Sequence, residues 1–345
     1  MKIWFAIVLA VALSGPVCAD DIVKLRAAME QPGRHHLSMS VGTKEQQSFI
    51  PMTAIVGEAK GPTLLVLSGI HGSEHAPIVA SQRLATTLSP SEISGTVLLV
   101  HIANMPAYLG RTIYTSPVDG KNLNRVFPGD EEGTLSEQIA YILTNQIYPL
   151  ADVVLDMHSG DGNEDLKPMW VGYYNRAGSP DVVARSRAIA FAFGFEHIVE
   201  FQWQLTDRRA AIWAGSAAVA LGIPSIDVEA GGQNTVAADA VEAIEAGVRR
   251  TMAHLKMTTA SFPPIEKQAV IKDRTWISTP QDGSWIPRKK AGERINKGEL
   301  IGYLTDWHGR KVFEARAPES GVLLLILTAP PVRKGETVAI IARVD

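Results

Sequence analysis

Thr63-Leu64-Leu65-Val66-Leu67-Ser68-Gly69-Ile70-His71-Gly72-Ser73-Glu74 decides how this chain is read. Its first half is a near-continuous apolar run, the pattern of a strand covered on both faces of a sheet. Its second half is a glycine-broken turn that offers a histidine and a glutamate at positions i and i+3. Imidazole nitrogen and carboxylate oxygen are both good donors to zinc, whose catalytic sites take three protein ligands and keep one position open. A lone His-x-x-Glu is common, so the weight falls on what the other strands end in.

Two more apolar runs end the same way. Val153-Val154-Leu155-Asp156-Met157-His158-Ser159-Gly160 places His158 at a strand end, a third donor beside His71 and Glu74. Ile226-Asp227-Val228-Glu229-Ala230-Gly231-Gly232 ends in a carboxylate. Strand alternation puts Asp227 and Glu229 on one face, with Glu229 nearer the end. From spacing alone Glu229 reads either as the base that a zinc hydrolase needs for its water or as a solvated strand-end acid. Residues at the carboxyl ends of neighbouring strands converge on one crevice, where open α/β sheets place their sites.

Around these runs, strand-like and helix-like segments alternate. The pattern predicts strands at 48–56, 63–67, 96–102, 153–157, 169–173 and 225–228, and helices at 76–88, 136–147, 181–193, 208–221 and 236–254. Ser136 and Asp207 are the candidate N-caps. This alternation predicts an α/β sandwich. A Pro263-Pro264 linker follows, and residues 265–345 read as a small all-β domain. There, Ile295-Asn296-Lys297-Gly298-Glu299-Leu300-Ile301-Gly302 is echoed by Val332-Arg333-Lys334-Gly335-Glu336-Thr337-Val338-Ala339, each a turn leading into a strand.

Residues 1–19 read as a secretory signal: Met1-Lys2, an apolar run over 3–13, and a small-residue cleavage pattern at Val17-Cys18-Ala19. This predicts a secreted or periplasmic protein, with residues 20–260 as its catalytic domain and no stable membrane anchor after cleavage. Cys18 is the only cysteine, so the mature chain lacks disulfides, a cysteine nucleophile and thiolate ligands. A net charge of −3, with no long basic run, argues against nucleic acid as a partner.

The loop Ser116-Pro117-Val118-Asp119-Gly120-Lys121-Asn122-Leu123-Asn124-Arg125-Val126-Phe127-Pro128-Gly129 brings amides and a guanidinium together. Arg125 suits a carboxylate through two parallel hydrogen bonds, and Asn124 adds a donor. Upstream, Arg111 is a candidate for stabilising a developing oxyanion.

These four motifs, in order and spacing, resemble the succinylglutamate desuccinylase/aspartoacylase family, relatives of the zinc carboxypeptidases. The resemblance implies a carboxypeptidase-like α/β/α sandwich with a mixed sheet and a C-terminal β domain with a lipoyl-like cadence. It implies one Zn²⁺ per chain on His71, Glu74 and His158, with Glu229 as general base and then proton donor to the leaving amine. Asn124 and Arg125 would hold a substrate carboxylate, and Arg111 would polarise the scissile carbonyl. The substrate would be a small N-acyl amino acid. Two departures stand out: Asn122 occupies a position where relatives often carry the aspartate that orients a zinc-bound histidine, and the small-residue run Ala214–Ala218 lacks aspartoacylase's second carboxylate-reading arginine. A carboxypeptidase acting on peptides or cell-wall peptides is the alternative, and a non-catalytic zinc- or solute-binding protein is a third reading. No residue pattern specifies an oligomeric state. At the hairpin tip where lipoyl domains carry a modified lysine, this chain reads Thr305-Asp306-Trp307-His308-Gly309.

Overall fold

The computed structural model describes residues 19–43, 46–205 and 207–343. The signal reading falls on residues outside that set, apart from Ala19. The helices are α1 (Ala19–Met29), α2 (His75–Thr87), α3 (Met105–Gly110), α4 (Leu135–Ile142), α5 (Pro180–Phe193), α6 (Ala214–Ala220) and α7 (Ala238–His254). The strands up to Ile271 are β1 (Gly33–Gly42), β2 (Gln47–Val56), β3 (Ala59–Ser68), β4 (Ser94–Val100), β5 (Val153–His158), β6 (Glu164–Leu166), β7 (Trp170–Arg176), β8 (His197–Gln204), β9 (Ser225–Glu229) and β10 (Ala269–Ile271).

All of these except β6 form one mixed sheet, in the order β1-β2-β4-β3-β5-β9-β7-β8-β10. Its centre, β4-β3-β5-β9, is parallel, while β7 runs antiparallel to β9. The apolar runs are continuous because both faces are covered. Leu64, Val66, Leu155 and Met157 pack under α2, α5 and α7. Leu65, Leu67 and Val154 pack under α1, α4 and α6. Each such leucine is fully buried, which contributes on the order of 2 kcal/mol.

The remaining strands are β11 (Arg274–Ser278), β12 (Gly283–Pro287), β13 (Arg294–Ile295), β14 (Leu300–Thr305), β15 (Lys311–Arg316), β16 (Gly321–Leu327), β17 (Pro331–Val332) and β18 (Thr337–Ala342). They form two further sheets, with antiparallel pairing throughout. The sequence echo is structural: β13 and β17 each turn through a left-handed glycine, Gly298 or Gly335, into β14 or β18. Trp285 fills the centre, fully buried, its indole N–H donating to the Leu327 carbonyl at 2.9 Å.

The two parts interlock. Residues 269–271, which the sequence reading places with the C-terminal domain, return to the large sheet as β10 beside β8. In the other direction β6 pairs with β16. One core runs from Leu166 and Trp170 through to Ile277 and Trp285.

Other local differences have local causes. The expected helix over 208–221 is split: a 3-10 turn at Arg208–Ala210 is followed by non-helical residues 211–213 before α6. Asp207 caps the short turn rather than α6. Ser136 is not a cap, because Thr134 and Glu137 close the start of α4. Ser136 instead donates its hydroxyl to Asp119 and anchors the loop that carries Asn124 and Arg125.

Candidate active site

The turn after β3 follows from Gly69. Its φ is +71°, and a Cβ there would lie 2.8 Å from the Ile102 Cα. Only glycine fits so sharp and close a bend. The chain then delivers His71 and Glu74 just ahead of α2. β5 delivers His158 at its end, and the β5–β9 register sets Asp156 beside Asp227 and His158 beside Glu229.

Glu74 joins the two histidines. Its Oε1 is 2.7 Å from His71 Nδ1, and its Oε2 is 2.8 Å from His158 Nδ1. All three residues are buried, and their donor atoms lie within 4.8 Å of one another. The far side of each ring is held: His71 Nε2 is 3.1 Å from Asn122 Oδ1, and His158 Nε2 is 3.1 Å from Asp156 Oδ1. This arrangement keeps both Nδ1 atoms facing one point, as a metal centre with oriented histidines requires. The donor set, two imidazoles and a carboxylate without thiolate, fits zinc with a position left open. Burial pushes the Glu74 carboxyl up, but the charges of His71 and His158 outweigh it and hold it at about 2. Burial works against charge on His71, and Glu74 more than offsets it. Burial also works against charge on His158, where Asp156 and then Glu74 lift the pKa well above the usual value.

Asn122 has a double role. Its Oδ1 also accepts from the Asn124 backbone N–H at 2.8 Å, which starts the 3-10 turn Leu123–Arg125. Asn124 then points inward: its Oδ1 accepts from the Ala214 backbone N–H at 2.8 Å, and its Nδ2 is 3.5 Å from His158 Nε2. The next amide, Gly215 N–H, donates to Asp156 Oδ2 at 3.0 Å. The small-residue start of α6 is therefore a backbone brace for two site residues. At Gly215 a Cβ would come 2.0 Å from Asp227 Oδ1.

A cavity of about 720 Å³ opens over the cluster, lined by His71, Glu74, Asn122, Asn124, Arg125, His158 and Glu229. Glu229 Oε2 is buried and has no hydrogen-bond partner among the described residues. Burial lifts its pKa well above the carboxylate range; His158 opposes this, while Glu74, Glu164 and Asp227 add to it. Neighbouring Asp227 is pushed up to about 7 by burial and by Asp156. Arg125 is open to the cavity lumen, anchored by one hydrogen bond to the Asn124 carbonyl, and its pKa is drawn down by the protein around it.

Arg111 stands apart. It is exposed, caps α3 with φ +53°, and does not line the cavity. The same loop instead delivers Tyr114, whose ring meets His71 edge-on at 6.4 Å. The Tyr114 hydroxyl lies 2.9 Å from both Asn163 Oδ1 and Glu164 Oε1 and has one proton to donate between them. His75 turns away to the Asn234 carbonyl. The sequence reading also missed the outer wall, where Trp170, Phe201, Arg274, Trp276, Leu325 and Ile340 line the cavity together. No motif marks these residues. Only the interlocked sheets bring them to the site.

A sequence profile of the succinylglutamate desuccinylase/aspartoacylase catalytic domain matches residues 60–255. The chain belongs to this family. The N-alpha-acetyl-L-2,4-diaminobutyric acid deacetylase of Halomonas elongata is 30% identical over 305 residues, 86% of either chain. A succinylglutamate desuccinylase from Silicibacter sp. superposes with a TM-score of 0.81 at 26% identity, over 92% of this chain and 97% of that one. A succinylglutamate desuccinylase/aspartoacylase from Rhodobacter sphaeroides gives 0.79 at 27%, over 92% and 97%. The mixed sheet with appended antiparallel strands is thus the family fold, and the family's chemistry is deacylation by amide hydrolysis.

Proposed function

We propose that this protein is a zinc-dependent deacylase that hydrolyses the amide of a small N-acyl amino acid. The observation that carries the reading is the buried Glu229 Oε2, without a hydrogen-bond partner among the described residues, which shares one cavity with the His71-Glu74-His158 cluster and Arg125. Bound by those three residues, Zn²⁺ would supply Lewis acidity toward water and the acyl carbonyl. Arg125 takes the substrate carboxylate in a two-pronged grip, with the Asn124 amide beside it. Glu229 removes the proton as the water oxygen bonds to the acyl carbon, and the carbonyl π pair becomes a lone pair on oxygen. When that pair returns to re-form C=O, the C–N bond breaks and Glu229 passes its proton to the leaving nitrogen. A carboxylate raised by burial is suited to both halves of that transfer.

The named substrate of the Halomonas relative, an N-acetyl amino acid, supports this choice. The test is hydrolysis of a panel of N-acyl amino acids before and after exhaustive chelation, with zinc added back. Full activity after metal removal would exclude the zinc mechanism. Cleavage confined to peptides with a free C-terminal carboxylate would favour the carboxypeptidase alternative.

Export is part of the proposal and rests on residues 1–19. Cleavage after Ala19 would remove only the first residue of α1 and keep Leu25, which is 1% exposed against the core. No described helix is long and apolar enough to cross a membrane. N-terminal sequencing of the secreted or periplasmic protein should begin at Asp20.

A further inference from the structure

The deacylase reading leaves one role without a residue. Negative charge develops on the acyl oxygen during hydrolysis, and Arg111, the sequence candidate for meeting it, does not line the cavity. The cationic side chains that do line it are Arg125, Lys272 and Arg274. Lys272 is exposed at the rim, and Arg125 belongs with Asn124 on the far loop.

Arg274 is the first residue of β11 in the C-terminal part. Its guanidinium lies 4.9 Å from the Phe201 ring centroid, 5.0 Å from Trp276 and 5.9 Å from Trp170. Trp170 is the β7 register partner of Glu229 on β9, so a group seated over Trp170 sits beside the base. The guanidinium makes no hydrogen bond or ion pair among the described residues, and Glu229 Oε2 is also partnerless. The aromatic rings hold cation and base on one cavity without letting them pair. Stacking occupies the faces of a guanidinium and leaves its N–H edge free for an oxygen. Burial lowers the Arg274 pKa to about 10, against the pull of Glu229 and Asp227, so the group stays charged at neutral pH.

We infer that Arg274 is a catalytic residue, donated by the C-terminal part, whose N–H edge binds the acyl oxygen as it becomes an oxyanion. The inference rests on the deacylase reading of the same site. A preorganised donor at this place is worth about 10²–10³ in kcat. It also explains why the C-terminal strands are interlocked with the catalytic sheet through β6 and β10, because a hinge there would displace the cation from the base.

The test compares Arg274→Ala, Arg274→Gln and Arg274→Lys with the wild type, each checked for metal content and melting temperature. With the best N-acetyl amino acid, Arg274→Ala and Arg274→Gln should lose about 10²–10³ in kcat with KM within about threefold, and Arg274→Lys should keep part of the loss back. Arg125→Ala should instead act mainly on KM. Calorimetric titration gives a readout independent of turnover. A phosphonamidate mimic of the tetrahedral state should weaken in Arg274→Gln by a factor close to the kcat loss, while binding of the free amino-acid product stays unchanged. A rise in KM alone, or equal weakening of mimic and product, would make Arg274 a ground-state contact and overturn the inference. Unchanged kcat in folded, metal-loaded Arg274→Gln would do the same. A wild type that binds the mimic but cleaves no N-acyl amino acid would overturn the deacylase reading, not the placement of Arg274.

Discussion

His71 Nε2 lies 3.1 Å from Oδ1 of Asn122, so an uncharged amide orients one of the two candidate metal-binding histidines. The other, His158, is oriented by the carboxylate of Asp156. The two histidines are therefore unequally supported. A carboxylate behind an imidazole makes it a stronger donor, and outer partners of this kind are typically worth 10–100-fold in metal affinity.

Replacing Asn122 with aspartate should tighten zinc binding by about tenfold. The change is nearly isosteric, and the new carboxylate can still accept the Asn124 backbone N–H that shapes the turn. Competition against a fluorescent zinc chelator measures it. Weaker binding in a folded Asn122→Asp protein would mean that the extra charge disturbs the neighbouring Glu74 more than it helps His71.

Glu229→Gln removes the base while keeping the side-chain shape. Turnover should fall by about 10²–10⁴, and bound zinc should stay near one equivalent because Glu229 is not among the clustered donors. Elemental analysis beside a steady-state assay separates the two effects. Substantial remaining activity would assign the proton transfer to another group, with Glu164 on the same cavity as the first suspect.

The His71-Glu74-His158 cluster was legible because its residues stand at or just beyond the ends of strongly patterned strands, and β3, β5 and β9 appear where the apolar runs place them. β8 was not legible. His197, Glu200, Gln202 and Gln204 dilute its pattern, and its identity depends on pairing with β7 and β10. Arg274 was hidden for a related reason: in sequence it is an isolated arginine just past the linker. Its position is set by long-range strand pairing, which no local periodicity records. Arg111 lies off the cavity because α3 ends in a left-handed turn that leaves its side chain exposed, while Tyr114 meets His71.

Gly215 offers a test of packing rather than chemistry. A methyl group there would sit 2.0 Å from Asp227 Oδ1, so Gly215→Ala must push Asp227 or the start of α6 aside. The Gly215 amide also holds Asp156, the partner of His158. Overpacking of this kind costs about 1–3 kcal/mol, and the displaced Asp156 should weaken zinc binding as well. Thermal melts and chelator competition on the same preparation should show both losses. A normal melting temperature with normal zinc affinity would mean that α6 can slide without cost.

His101 sets a pH limit on stability away from the site. The ring is buried between two hydroxyls, with Nε2 2.8 Å from Thr53 Oγ1 and Nδ1 2.8 Å from Ser81 Oγ, so no carboxylate compensates a charge. Burial, helped by His36, depresses its pKa from 6.5 to about 4. Between those values the unfolded chain binds a proton that the folded chain refuses. The stabilising contribution is therefore complete above about pH 6.5 and is lost as pH falls toward 4, a change on the order of 3 kcal/mol. His101→Gln can keep hydrogen bonds to the hydroxyls but cannot titrate. Its stability relative to wild type should rise by that amount as denaturant unfolding is repeated from pH 7 down to pH 4. Since both proteins keep the metal cluster, its own acid sensitivity cancels in the difference. Parallel stability curves for the two proteins across this range would show that His101 titrates as it does in the unfolded chain.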